Sequence, residues 1–186
     1  MNKSRNEIRI GAGTLKNRAV RFPAVADLRP TPSRVKETLF NWLGQNLEGL
    51  RVLDLFAGSG ALGFEALSRG ADFVVLNDSN AAAFRSLNEN AQRFNLDSNR
   101  FAIFQKDAFL LLDDFIAKKQ FFDIIFCDPP FSQNCAMRLV KAILALKPNG
   151  LLYIENGFEI PEFFTLTRHK FLRAGEVFAH LFCKEV

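Results

Sequence analysis

The chain has 186 residues, of which 48% are hydrophobic, so it is long enough for one domain with a full core and too apolar to be disordered. It contains neither the roughly 20-residue apolar run of a membrane helix nor the core of a secretory signal. Its three cysteines, Cys127, Cys135 and Cys183, form no CxxC pair. We therefore expect a reduced, cytoplasmic protein.

Charge is unevenly distributed along the chain. Residues 1–36 contain nine Lys and Arg against two acids, whereas the rest of the chain contains 15 basic and 18 acidic residues. A segment of this kind is either a solubilising terminus or an arm that binds a polyanion. Charge alone does not separate the two interpretations.

The N-terminal residues predict two short strands, near Glu7–Gly13 and Arg18–Phe22, followed by a loop with three prolines. Thr31 is placed to cap a helix that has Pro32 at its first position. The apolar residues that follow recur at spacings of three and four, as one face of a helix requires.

After Gly49 the pattern changes to apolar strands that alternate with helices. The predicted strands are RVLDLF, FVVLN, FAIFQ, FDIIFC and LLYIEN, and the predicted helices are ALGFEALSRG, Ala81–Phe94, Phe109–Lys118 and Cys135–Leu146. Strands that are apolar on both faces indicate a parallel sheet covered on both sides, and the tail around Ala174-Gly175 predicts an antiparallel hairpin. We predict a doubly wound, mostly parallel, seven-stranded α/β fold with a basic N-terminal β-hairpin.

Ligands in such sheets bind beyond the carboxyl ends of the strands. The first strand leads into DLFAGSGALG, in which Gly58, Gly60 and Gly63 spell GxGxxG, and Asp78 follows at the end of the second strand. This spacing fits NAD as well as S-adenosylmethionine. A glycine turn with a solvated acid is the simpler alternative.

Two further acids lie at strand ends. Asp54 is inside the first strand, where an unpaired carboxylate is costly, so its predicted partner is a ligand amino group, which S-adenosylmethionine has and NAD lacks. Asp107, just after the third strand, is placed to accept a hydrogen bond from an adenine amino group, to cap the next helix, or to do both.

The fourth strand ends in FDIIFCDPPF. The Asp128 carboxylate and the Pro129 carbonyl can each accept one hydrogen of an amino group conjugated to a base, which frees the nitrogen lone pair for attack on a sulfonium methyl. Pro129 and Pro130 restrict the backbone, and Phe131 offers a face on which a base can stack. In a chain with 21 phenylalanines, Phe131 on its own is more simply a core residue.

DLFAGSGALG, DPPF and the block LRPTPSRVKETLFNWL together closely resemble the RsmD-type guanine-N2 methyltransferases of small-subunit ribosomal RNA. The resemblance runs from Ile8 to the C-terminal hairpin. It implies a Rossmann-like class I S-adenosylmethionine methyltransferase that methylates the 2-amino group of one guanine in the assembled small subunit. Separately, we expect a monomer that binds no metal and no membrane. The alternatives are a DNA adenine amino-methyltransferase and a non-catalytic RNA-binding subunit.

The resemblance also assigns the site residues. The catalytic motif would be Asp128, Pro129, Pro130 and Phe131, and the cofactor site would be lined by Asp54, Phe56, Ala57, Gly58, Ser59, Gly60, Asp107 and Ala108. Either Asn77, in the family register, or Asp78, one residue later, would contact the ribose. A regular strand would turn Asp78 to the other face, and an early strand end would let it curl inward.

The basic arm is predicted to span residues 1–30, and the methyltransferase domain residues 31–186. Phosphate contacts with RNA are expected from basic residues in and just after the arm. These are Arg9, Lys16, Arg18, Arg21, Arg29 and Arg34.

Overall fold

The structure is a computed structural model that describes residues 5–23, 33–129, 136–160 and 165–185. The strands are β1 (Arg5–Arg9), β2 (Ala19–Pro23), β3 (Arg51–Asp54), β4 (Phe73–Asn77), β5 (Phe101–Phe104), β6 (Phe122–Cys127), β7 (Leu146–Asn156), β8 (Leu166–Ala174) and β9 (Val177–Lys184). The helices are α1 (Ser33–Leu43), α2 (Ala61–Ser68), α3 (Ala81–Phe94), α4 (Ala108–Ala117) and α5 (Ala136–Leu144). In these ranges no helix is long and apolar enough to cross a membrane.

Seven strands form one sheet in the order β5-β4-β3-β6-β7-β9-β8. The first five in this order are parallel, and β9 runs antiparallel between β7 and β8. This confirms the predicted doubly wound sheet with an antiparallel C-terminal hairpin. The chain moves outward from β3 through β4 to β5 and then returns to the other side of β3 as β6, so a crevice opens between the ends of β3 and β6.

The two faces of the sheet enter two separate hydrophobic cores, because neighbouring residues of a strand point in opposite directions. Val52 of β3 packs with α1, α2, α3 and the N-terminal hairpin in a first core. Leu53, the next residue, packs with α4 and α5 in a second core. Both faces of β3 are therefore dry beyond Arg51, which is partly exposed at the start of the strand, and Asp54 is the one acid among its buried residues.

The boundaries of the N-terminal hairpin differ from the prediction. β1 ends at Arg9, whereas the sequence pattern predicted a strand that reaches Gly13. The ladder stops because the amides of Gly11 and Ala12 donate to the carboxylate of Glu65 on α2, at 2.7 and 3.0 Å, and not to a neighbouring strand. At Gly13, which has a φ of +78°, a Cβ would lie 1.8 Å from the carbonyl oxygen of Ser68, so only glycine permits this close approach to α2.

Glu65 is fully buried and joins the hairpin, α1 and α2. Besides the two amides, its carboxylate accepts from Lys36 Nζ at 2.7 Å and Arg69 Nε at 2.9 Å. Burial alone would raise the pKa of Glu65, but these amides and cations outweigh it and lower that pKa below its ordinary value. The basic hairpin is thus fixed to the sheet domain by a buried ionic cluster.

The helix bounds follow local signals. α3 spans Ala81–Phe94 as predicted, since the Asn80 side chain accepts from the amides of Ala82 and Ala83 and Asn95, with a φ of +51°, ends the helix. For α1, which begins at Ser33, the predicted cap at Thr31 and Pro32 lies outside the described residues.

Candidate active site

An acid stands at or just beyond the carboxyl end of each parallel strand. These are Asp54 in β3, Asp78 after β4, Asp107 after β5, Asp128 after β6 and Glu155 in β7. All five strand ends meet at one edge of the sheet, on both sides of the crevice. Acidic side chains are therefore concentrated where a ligand of this fold binds.

The turn after β3 has the shape that a close backbone approach requires. Gly58 has a φ of +52°, in the left-handed region that favours glycine. Ala57 donates its amide to the carbonyl of Asn77 at 2.8 Å, and Gly60 donates to the carbonyl of Ala57 at 2.6 Å. The Ser59 hydroxyl accepts from the amide of Ala61 at 3.3 Å. The turn is thereby fixed against the end of β4.

The later glycines of the motif serve packing. At Gly60 a Cβ would lie 2.5 Å from a methyl carbon of Leu87, and at Gly63 it would lie 2.7 Å from a methyl carbon of Leu76. The start of α2 can approach α3 and β4 this closely only without side chains at the two positions. Gly58 differs from these two in its backbone contact, because its amide donates to Asp78 Oδ2 at 2.8 Å.

Two other predicted cofactor residues border this turn. Phe56 is half-buried, with its ring centroid 6.3 Å from that of Phe109 on α4. Ala108, the first residue of α4, is buried at 4% exposure. Both therefore lie on the side of the turn that faces β5 and α4.

Asn77 and Asp78 have different surroundings. Asn77 is 1% exposed, and its amide group is used by the backbone: Nδ2 donates to the carbonyls of Leu55 and Lys106, and Oδ1 accepts from the amide of Lys106. β4 ends at Asn77, so Asp78 leaves the strand geometry and turns toward Gly58. Its Oδ2 accepts a hydrogen bond from the Gly58 amide at 2.8 Å. Asp78 is the half-exposed acid at the glycine turn.

Asp54 is 3% exposed, and its Oδ2 accepts the amide of Gly63 at 2.9 Å. Burial raises the pKa of Asp54 to about 7, against the lowering effect of the Gly63 amide and with smaller contributions from the charges of Asp78 and Glu155. Among the described residues no cation forms an ion pair with it. A ligand ammonium group would supply the charge that this carboxylate lacks.

Asp107 caps α4. Its Oδ1 accepts from the amides of Phe109 and Leu110 at 2.9 and 3.1 Å. The capping role is confirmed. Its second predicted role, contact with an adenine amino group, stays a prediction, and the side chain is exposed enough to reach a ligand.

Asp128 and Pro129 follow β6 at the crevice, and Pro130 and Phe131 lie outside the described residues. Burial, followed by the charges of Glu155 and Asp54, raises the pKa of the Asp128 carboxyl well above its ordinary value. Cys127 is 4% exposed and packs into the second core, as predicted from strand alternation. The Asp128 side chain accordingly points to the opposite face, toward Asp54.

Glu155 and Tyr153 were missed in the sequence. Glu155 is 3% exposed, and its Oε1 accepts the hydroxyl hydrogen of Tyr153 at 2.8 Å. The signal was present in LLYIEN, where an acid interrupts an apolar strand just as Asp54 interrupts RVLDLF. No glycine or proline motif follows this acid, so the sequence alone does not mark it as a site residue.

The predicted RNA-binding residues do not all lie at the same end of the molecule. Arg18 lies at the C-terminal end of α3, where its guanidinium donates to the carbonyls of Arg93 and Phe94 at 2.6 and 3.1 Å. That end of α3 is at the opposite edge of the sheet from the acids, since α3 starts where β4 ends. The exposed residues of the set are Arg9, Lys16, Arg18, Arg21 and Arg34, whereas Arg29 lies outside the described residues.

Comparison with known proteins identifies the family. A family model described as Conserved hypothetical protein 95 matches residues 8–183. The ribosomal RNA small subunit methyltransferase D of Haemophilus influenzae is 37% identical over 177 residues, which cover 90% of each chain. The chain belongs to the RsmD-type family. The Escherichia coli K12 member is 36% identical to this RsmD-type chain over 190 residues, covering 96% of this chain and 91% of its own.

Solved structures agree with this assignment. YhhF from Escherichia coli superposes on this RsmD-type chain with a TM-score of 0.80 at 34% identity, covering 97% of this chain and 99% of YhhF. A Thermus thermophilus 16S rRNA guanine-N2 methyltransferase, solved with AdoMet and guanosine, has a TM-score of 0.74 at 24% identity and covers 98% of this chain and 50% of its own. The second likeness shows that the fold is shared.

Proposed function

We propose that this protein transfers a methyl group from S-adenosylmethionine to the 2-amino group of one guanine in small-subunit ribosomal RNA, with the assembled subunit as substrate. The observation that carries the proposal is the position of Asp128 and Pro129, which follow β6 at the crevice beside the glycine turn. Membership of the RsmD-type family supports ribosomal RNA as the substrate class.

The residues of the β3–β4–β5 half fit the cofactor. Asp54 is a buried carboxylate suited to an ammonium group, and Gly58 brings backbone close to the ligand. Asp78 is the acid placed for the ribose hydroxyls, because Asn77 is already bound on three sides by backbone. Asp107 and Ala108, at the start of α4, would lie beside the adenine. When bound, S-adenosylmethionine supplies an electrophilic methyl group on a sulfonium sulfur.

Asp128 and Pro129 prepare the nucleophile. The lone pair of the guanine 2-amino nitrogen is delocalised into the ring, so the nitrogen is a poor nucleophile in its planar form. The Asp128 carboxylate and the Pro129 carbonyl accept its two hydrogens and draw the nitrogen toward tetrahedral geometry. The methyl group that the nitrogen takes up would come from the sulfonium of the bound cofactor, whose sulfur would keep the electron pair of the S–C bond. The Asp128 carboxylate stabilises the positive charge that develops on the nitrogen, until the nitrogen loses one proton to that carboxylate or to water.

The basic residues nearest the acidic edge are proposed to hold the RNA. α1 leads into the amino end of β3, so its first turn, with exposed Arg34, lies toward the carboxyl edge. Exposed Arg21 lies in β2, whose backbone carbonyl at Arg21 accepts from Ser86 and Asn90 of α3. Arg18 is left out of this set, because its guanidinium is engaged at the far end of α3.

The test is radiolabel transfer from S-adenosylmethionine to small subunits taken from cells that lack this protein, compared with naked ribosomal RNA and DNA. We expect label in N2-methylguanine, at one position, with assembled subunits. Asp128→Ala should fold, bind cofactor and RNA, and transfer methyl at least about 100-fold more slowly in a single turnover, with Asp128→Asn between it and wild type. Asp113→Ala, an exposed acid on α4, is the matched control and should keep the wild-type rate. Label in DNA adenine, or a normal rate in folded Asp128→Ala, would refute the proposal.

A further inference from the structure

Asp128 and Glu155 lie side by side at the ends of neighbouring parallel strands. Cys127 of β6 pairs in register with Ile154 of β7, so the two acids that follow them are separated by one strand spacing, about 5 Å. Cys127 and Ile154 both pack into the second core. By alternation, both acids point to the other face of the sheet, where Tyr153 packs in the first core.

Glu155 is held in place by Tyr153. The tyrosine is fully buried with its ring edge-on to Phe126, at a centroid distance of 6.2 Å, and its hydroxyl donates to Glu155 Oε1. Burial, with the charge and the hydrogen bond of Glu155, raises the pKa of Tyr153 well above its ordinary value, so the phenol stays a neutral donor. The Glu155 carboxylate is thus a fixed hydrogen-bond acceptor beside Asp128.

Glu155 stands on the side of the crevice away from the residues that would hold the cofactor. The strand order puts β7 beyond β6, on the side away from the glycine turn, Asp78 and Asp107. In the described ranges no three His, Cys, Asp or Glu side chains are arranged to hold a metal ion. The pair of carboxylates therefore fits an organic ligand with several hydrogen-bond donors, next to the group that is methylated.

We propose that Glu155 selects guanine by accepting a hydrogen bond from N1–H of the base whose 2-amino group is bound by Asp128 and Pro129, and that Tyr153 positions Glu155 for this contact. The inference rests on the proposed function. Guanine carries N1–H directly beside its 2-amino group, so two adjacent donors meet two adjacent carboxylates. Adenine has a hydrogen-bond acceptor at N1. This nitrogen would face the Glu155 carboxylate, also an acceptor, with no hydrogen to form a bond between the two. Sites built to bond a buried donor reject an analogue that lacks it by about 10⁴-fold.

The decisive probe is 2-aminopurine, which keeps the 2-amino group but has an acceptor at N1. Once the methylated guanine is mapped, 2-aminopurine is placed at that position by RNA ligation and the RNA is assembled into subunits. The ratio of kcat/KM for guanine over 2-aminopurine is then measured. Wild type should prefer guanine by at least about 100-fold. Glu155→Gln should reduce this ratio at least about tenfold, because an amide donates to N1 of 2-aminopurine and no longer offers a full charge to N1–H.

Two further variants complete the test. Tyr153→Phe removes the hydroxyl that holds Glu155 and should also lower the ratio, and it carries the test if Glu155→Gln does not fold. Glu176→Gln, an exposed acid in the turn between β8 and β9, should keep the wild-type ratio. An unchanged ratio in folded Glu155→Gln, or in folded Tyr153→Phe, overturns the inference, as does a loss of S-adenosylmethionine affinity without a change in ratio. Absence of N2-methylguanine with wild-type protein would instead overturn the proposed function.

Discussion

Replacing Asp54 by Asn should make the free protein less sensitive to pH while weakening cofactor binding. Burial raises the pKa of Asp54 to about 7, from an ordinary value of 3.8, so the native state binds this proton more tightly than the unfolded state does. The stability that comes from this group is therefore complete below pH 3.8 and is lost as pH rises toward 7. The full loss is about 4 kcal/mol, at 1.36 kcal/mol for each pH unit.

The decisive quantity is the change in unfolding free energy between pH 5 and pH 8. Across this interval wild type should lose about 3 kcal/mol through Asp54, and Asp54→Asn should lose none of it. An Asn oxygen can still accept the Gly63 amide that Asp54 binds at 2.9 Å. The buried amide nitrogen of Asn costs about 1–3 kcal/mol, but this cost is the same at both pH values and cancels in the difference.

This difference is measured by urea unfolding at the two pH values. The proteins compared are wild type, Asp54→Asn and the control Asp113→Asn. Asp113 is half exposed and paired with Lys141, so its variant should follow wild type. Equal pH dependence in wild type and Asp54→Asn would refute the interpretation of Asp54 as a buried acid without an internal cation. Calorimetry with S-adenosylhomocysteine should then show proton release near pH 7 in wild type, and less release with lower affinity in the variant.

Three other changes follow from the same contacts. Glu65→Gln should lower the free energy of unfolding in urea by about 3–5 kcal/mol, because Lys36 is left buried without its anion. A loss below about 1 kcal/mol would contradict the role of the ionic cluster. Asp78→Ala should raise the cofactor dissociation constant at least about tenfold, and by more than a folded Asn77→Ala variant does. A larger increase in Asn77→Ala than in Asp78→Ala would assign the ribose contact to Asn77. Arg34→Ala should reduce both the RNA affinity and its salt dependence more than Lys16→Ala does, because Lys16 lies in the turn at the far end of the hairpin. Equal effects of the two substitutions would argue against the proposed orientation of the RNA.

The alternation of strands and helices, and the approximate position of most helices, could be predicted from the sequence because their signals are local. For α3, the spacing of apolar residues lies within the helix itself and the capping residue Asn80 comes directly before it. α3 was accordingly predicted with its observed bounds. The end of β1 could not be predicted in this way. It depends on Glu65, which is more than fifty positions away from Gly11 in the chain and captures its amide only in the folded protein.

The site was partly predictable for the same reason. Motifs that contain their own glycines or prolines, at Gly58 and Asp128, are visible in a single stretch of sequence. The proposal of Asp78 for the ribose contact depends on the loop after β5, because the carbonyl and the amide of Lys106 are hydrogen-bonded to Asn77. Glu155 required the pairing of β6 with β7, since its proximity to Asp128 is a property of the sheet and not of either strand.

The division of charge within the molecule constrains how RNA is bound. Burial, and then the charges of neighbouring acids, raises the pKa values of Asp54 and Asp128 at the ends of the parallel strands, so this edge disfavours the further negative charge of a phosphate backbone. A nucleotide can approach only if its phosphates are held outside the crevice by cations, while its base alone enters. A base inside a helix cannot reach that far, so the target must leave its stack, which costs a few kcal/mol. The exposed Arg21 and Arg34 would supply the outer contacts, and the donors on the guanine edge would satisfy the acids within. The same acids that would make the crevice unfavourable for phosphate would favour a donor-rich base, so under the proposed function substrate recognition and chemistry would rest on one electrostatic arrangement.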